Sequence, residues 1–168
     1  MKAASLVVAL ALFVPAVAAD EGRPRGAVDP SALPCAKDLA EEIAPHVGAP
    51  ARIRETDVDR EGAGHCVWIG SRDGVTVRVA YLPGKSLGVP AGEERAHFDA
   101  TMRGRKARFG SAFAEVPGLA DAAWSLDPAD NPQRVVSLFK AGNMAVVTTT
   151  GLDLTATIDL ARAAASRM

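Results

Sequence analysis

Cys66-Val67-Trp68-Ile69-Gly70-Ser71-Arg72-Asp73-Gly74-Val75-Thr76-Val77-Arg78-Val79-Ala80-Tyr81 is the stretch whose reading decides the fold. Val75, Val77, Val79 and Tyr81 alternate with Thr76, Arg78 and Ala80. A period of two sends these sets to opposite faces of a strand. Residues 66–69 read as a second strand. Residues 71–74 read as the turn between them, with Asp73-Gly74 supplying the positive φ that tight hairpins need. A hairpin of this kind makes an antiparallel sheet the natural frame.

The flanking sequence fits that frame. Upstream, residues 52–58 read as an edge strand. Before them Leu39, Ile43 and Val47 recur every four residues, with Ala36 and Ala40 beside them. That spacing predicts one apolar helix face, ended by residues 45–48 and Pro50. Downstream, residues 83–92 read as a loop. Residues 93–108 read as a helix with Phe98 and Met102 packing at i, i+4. Residues 113–116 and 122–126 read as short strands, and 127–132 as a loop. Residues 134–140 and 144–150 form a second hairpin around Gly142-Asn143. A closing helix carries Leu154, Ile158, Ala161 and Ala165 on one side. The expectation is an α+β domain: an antiparallel sheet with helices packed on one face. Trp68 and Trp124 each precede a Val-rich strand, so the order reads as two αβββ halves plus a C-terminal helix.

Composition agrees with a single globular domain. The chain has 168 residues, 48% of them apolar, 23% charged and 5% aromatic, with a net charge of −1. This excludes a disordered chain, a collagen-like fibre and a disulfide-dense miniprotein. The N-terminus reads as a secretory signal peptide over residues 1–19. Lys2 is its only charge, an apolar run spans 6–14, and Ala16-Val17-Ala18-Ala19 offers a small-residue cleavage site. The apolar run is shorter than the ~20 residues needed to span a bilayer, and Pro15 interrupts it, so no membrane span is expected after cleavage. No Cys stands at the cleavage site to carry a lipid. Residues 20–31, with Pro24, Gly26 and Pro30, read as a flexible lead-in to a single domain at 32–168. Without residues 1–19 the chain keeps 18 basic against 20 acidic residues. That balance argues against a nucleic-acid binder, which needs a strong basic excess. Arg outnumbers Lys fourteen to five, a bias typical of GC-rich bacterial genomes. The expected location is periplasmic or secreted.

Export makes the two cysteines, Cys35 and Cys66, informative. In an oxidising compartment a lone pair usually bridges. The spacing is far longer than the C-x-x-C of redox pairs, which favours a structural disulfide over a redox or nucleophilic thiol.

Motifs for catalysis are sparse. Gly84-Lys85-Ser86-Leu87-Gly88 matches G-x-S-x-G, the nucleophile elbow. The acid and base order that should follow Ser86 is missing, because Glu93, Glu94 and His97 stand too close to it in the chain. Glu93 and His97 lie i, i+4 on one helix, with Asp99 nearby, and can be read as a metal pair or as a surface Glu–His interaction. His65 reads as a loop-edge residue at a strand start, and His46 as a cation in the last turn of the first helix. Arg103, Arg105, Lys106 and Arg108 form a basic cluster that fits a helix C-terminus or a contact with an anionic surface. No aromatics interleave with it, so base stacking is not expected. Trp68 and Trp124 read as core residues. The chain has no P-loop, dinucleotide fingerprint, EF-hand loop or haem-attachment motif, and no cofactor is expected.

Four stretches carry a resemblance: Cys35, Cys66-Val67-Trp68, Gly118-Leu119-Ala120-Asp121-Ala122-Ala123 and Leu160-Ala161-Arg162. Together they resemble small secreted and lipid-anchored bacterial domains of unknown function, over about residues 33–167. Ala120 replaces the second Gly of that pattern, and the lipid-anchor Cys is missing. The resemblance implies an α+β sheet of the general kind found in photosystem-II-accessory-like domains, and implies no activity. The leading expectation is a non-enzymatic exported domain that binds a protein, an envelope component or a small ligand. The alternative is a small periplasmic hydrolase using Ser86 or a metal at Glu93 and His97.

Overall fold

Seven strands hydrogen-bond into one antiparallel sheet, ordered β1-β2-β3-β7-β6-β5-β4. The computed structural model describes Cys35, residues 39–59 and residues 61–168. The signal peptide and the lead-in at 20–31 lie outside the described residues. In chain order the elements are α1 (Ala40–Val47), β1 (Arg52–Val58), β2 (Gly64–Ile69), β3 (Thr76–Leu82), α2 (Glu94–Phe109), β4 (Phe113–Glu115), β5 (Ala122–Leu126), β6 (Gln133–Lys140), β7 (Asn143–Thr150) and α3 (Leu154–Ala165).

β1, β2 and β3 form a meander. α2 then carries the chain to the far edge, where β4 to β7 meander back until β7 lies against β3. The first hairpin forms as the sequence predicts, with Trp68 opposite Val77 and Cys66 opposite Val79. The second turns one residue earlier than predicted. Lys140 pairs with Asn143, so Ala141 and Gly142 make the two-residue turn, at φ 49° and 81°. Positive φ at both positions suits the right-handed twist of the strands, and Ala141 is the described non-Gly residue held there.

The α+β class and the antiparallel sheet are as expected. The placement of the helices is not uniform. α1 and α3 share one face, where Ile43, Val47, Leu160 and Ala161 pack with Trp68, Val77, Val136, Leu138 and Val147. α2 lies on the opposite face, where Phe98 and Met102 pack with Phe113, Leu126, Val135 and Phe139. The cause is in β6: five consecutive residues, Val135 to Phe139, are buried. A strand that is apolar on both sides needs cover on both sides. The second half also has four strands rather than three, so the two αβββ halves are unequal.

Cys35 and Cys66 are bridged, with their Cα atoms 5.9 Å apart. The bridge ties the chain just before α1 to the middle of β2, under the α1 and α3 layer. Arg72 adds a second tie by donating from Nη1 to the His46 carbonyl at 2.8 Å. α3 is capped by Asp153, whose carboxylate accepts from the Ala156 amide at 2.8 Å. It is joined to β7 by a buried Thr149–Thr157 hydroxyl pair at 2.7 Å.

Candidate functional site

Ser86 sits in a short 3-10 turn, Gly84–Leu87. Its hydroxyl donates to the Pro83 carbonyl at 2.7 Å, the same oxygen that accepts its amide. The hydroxyl therefore closes its own turn, and no base among the described residues bonds to it. Glu93 precedes α2 and His97 lies in its first turn. Both are exposed, and the predicted Glu–His side-chain contact does not form. Asp99 is taken by Arg95, 3.0 Å away. Among the described residues no three His, Cys, Asp or Glu side chains converge as a metal site would require.

His46 lies in the last turn of α1, as expected. His65 lies within β2 rather than at a loop edge, and its Nε2 is 3.2 Å from Glu55 of β1. Trp68 is buried in the α1 and α3 layer at 3% exposure. Trp124 stacks on Phe113, with ring centroids 5.2 Å apart. A cavity of about 10 Å³ lies beside the disulfide, lined in part by Cys35, Val79, Tyr81 and Ala164. It has room for about one water and none for an organic ligand.

The basic cluster does not stay together. Lys106 turns to the sheet edge and donates to the Phe113 carbonyl at 2.6 Å. Arg108 lies over the Phe109 ring, 5.2 Å from its centroid. Arg103 is exposed. Arg105 alone points at the sheet. It follows Phe98 and Met102 at the helical spacing i+7 and i+3, so it continues the stripe that packs on the sheet. Its Nη1 makes a long 3.5 Å contact with the Ser137 hydroxyl of β6. Burial lowers the Arg105 pKa from its ordinary value.

Register shows what lies beside Arg105. Ser137 stands opposite Val146 of β7. One side-chain step along β7 on the same face is Thr148, opposite Arg78 of β3. Thr150 and Thr76 pair one further step along. The α2 side chains that pack on this face meet β4 to β7 and Leu82 at the end of β3, while Thr76, Arg78 and Ala80 further along β3 are half-buried. Arg78 Nε is buried without a hydrogen-bond partner. Neither Arg78 nor Arg105 has a carboxylate within ion-pair distance among the described residues. The acids on this face by register are Glu55 and Asp57 of β1, with β2 between them and Arg78, and Glu115 of β4, with β5 between it and Ser137. Glu55 is already engaged by His65.

Two guanidiniums without a carboxylate partner among the described residues, with half-buried Thr148 between them by register, suit an anion. The sequence reading named Arg105 only as part of a helix-end cluster and passed over Arg78. The available signal was that Arg78 is the sole charged residue in the strand from Thr76 to Leu82.

No protein-family model, curated protein or solved structure matches this chain.

Proposed function

We propose that the mature chain is an exported, non-enzymatic binding domain that holds an anionic component of the cell envelope against the β3 part of its sheet beside α2. The observation that carries this reading is the pair Arg78 and Arg105, half-buried on one sheet face and both without a carboxylate partner among the described residues. Export is supported by the N-terminal sequence and by the Cys35–Cys66 bridge, which persists in an oxidising compartment. No helix among the described residues is long and apolar enough to cross a membrane. The same reading groups the chain with the small secreted domains that its Cys66-Val67-Trp68 strand and residues 118–123 resemble. A hydrolase is less well supported, because the Ser86 hydroxyl is spent on Pro83.

The test is native mass spectrometry of the protein purified gently from the exported fraction. The expected mass lacks the leader, lacks two thiol hydrogens and carries an adduct that high salt removes. An intact leader with free thiols overturns export. A mature protein bare at every salt concentration overturns envelope binding.

A further inference from the structure

We infer that Arg78, Arg105 and Thr148 form one binding site for a phosphate group, at the edge of α2 on the sheet face that this helix partly covers. This rests on the binding-domain reading above and gives that surface its ligand chemistry. A single strand, β7, separates Arg78 of β3 from Ser137 of β6. Arg105 already places its guanidinium over Ser137. Arg78 lies on the other side of β7, with Thr148 directly opposite it. The two guanidiniums therefore flank the strand from both sides, and Thr148 lies between.

The donor set favours phosphate over carboxylate. A carboxylate offers two oxygens, which one arginine fork satisfies. Two forks and the Thr148 hydroxyl offer more donors than that, and a tetrahedral group with several acceptor oxygens can use them. Arg78 Nε has no acceptor among the described residues, and Arg105 has one long contact. A bound phosphate would supply the acceptors that both lack.

The experiment titrates inorganic phosphate into the disulfide-bonded mature protein and follows the arginine Nε–Hε resonances by NMR. The same protein is spun with phosphatidylglycerol vesicles and with phosphatidylcholine vesicles. Saturable shifts of Arg78 and Arg105, weakened at least tenfold by Arg78→Gln and by Arg105→Gln and unchanged by Arg103→Gln, are expected. Sedimentation with phosphatidylglycerol that needs both arginines identifies a lipid headgroup as the source. Phosphate binding without vesicle binding identifies a soluble phosphorylated ligand. No shift at these two arginines, or shifts that survive both substitutions, overturns the site. Should a variant not fold, the wild-type resonance map alone decides. An envelope adduct in native mass spectrometry without phosphate shifts would refute the phosphate site and leave the binding-domain reading standing.

Discussion

Arg105 shows how one residue can conflict with its position. It occupies a place in the α2 stripe that Phe98 and Met102 fill with apolar atoms. It brings a charge under partial burial, with one long hydrogen bond in return. Replacing such a charge by an apolar side chain of similar length is often neutral or stabilising. Arg105→Met should therefore raise stability by about 1 kcal/mol, read as a higher urea midpoint with an unchanged slope. A loss of stability would mean that the arginine is structural. Glu42 illustrates the opposite case. Its hydrogen bond from Arg167 holds its carboxyl below the ordinary value of 4.5, against desolvation acting in the other direction. A carboxyl depressed in the folded state stabilises the protein above its unfolded pKa, and that contribution fades as pH falls through the folded pKa. The side chain is 40% exposed, so the contribution is a few tenths to about 1 kcal/mol after screening. Glu42→Gln should lower stability at pH 7 by that amount and flatten the decline below pH ~4.5, measured by urea denaturation across pH.

Elements meet in this protein through close backbone approach as well as side-chain packing. The end of α1 runs against the end of β2. Arg72 N donates to the Val47 carbonyl at 2.8 Å and Ser71 N to the Gly48 carbonyl at 3.3 Å. A Cβ on Gly70 would collide with both of those carbonyls. The obstacle is backbone, which cannot turn aside as a side-chain tip can. Gly70→Ala should cost about 1–3 kcal/mol, at the level of an overpacked core. Gly74→Ala is the control: its Cβ meets nothing, so only its positive φ opposes it and the loss should be smaller. Equal losses at the two positions, measured by thermal unfolding, would refute the close approach. This docking was hidden in the sequence, where Gly70 falls between the strand at 66–69 and the turn at 71–74 with no period to mark it. The elements themselves were legible because their periods are strong: Val77 and Val79 at period two, Ile43 and Val47 at four. β4, from Phe113 to Glu115, has too few positions to declare a period.

At the scale of the whole molecule, the disulfide and the central strand pair join parts far apart in sequence. The bridge closes a loop with a sequence separation of 31. The chain-entropy model assigns such a loop roughly 3.5 kcal/mol. Cys35→Ser paired with Cys66→Ser should lower Tm by roughly 10 °C. Reduction of the wild-type protein should give the same shift, and a Tm indifferent to reductant would remove the bridge from the account of stability. The other long-range join is β7 against β3, which seals the two halves into one sheet.

Local order was settled by the sequence alone: which residues alternate, which recur every four, where Asp73-Gly74 turns the chain and which two cysteines can bridge. These are short-range facts, written in the periods of strand and helix and in the backbone freedom of particular residues. Only the tertiary structure decided which face each helix covers, that β7 inserts beside β3, and that Arg78 and Arg105 share one face of the sheet. Arg78 and Arg105 belong to different elements, a strand and a helix, and their placement follows from strand order and register. Neither leaves a local period to read, because both arise when apolar faces from distant segments compete for cover.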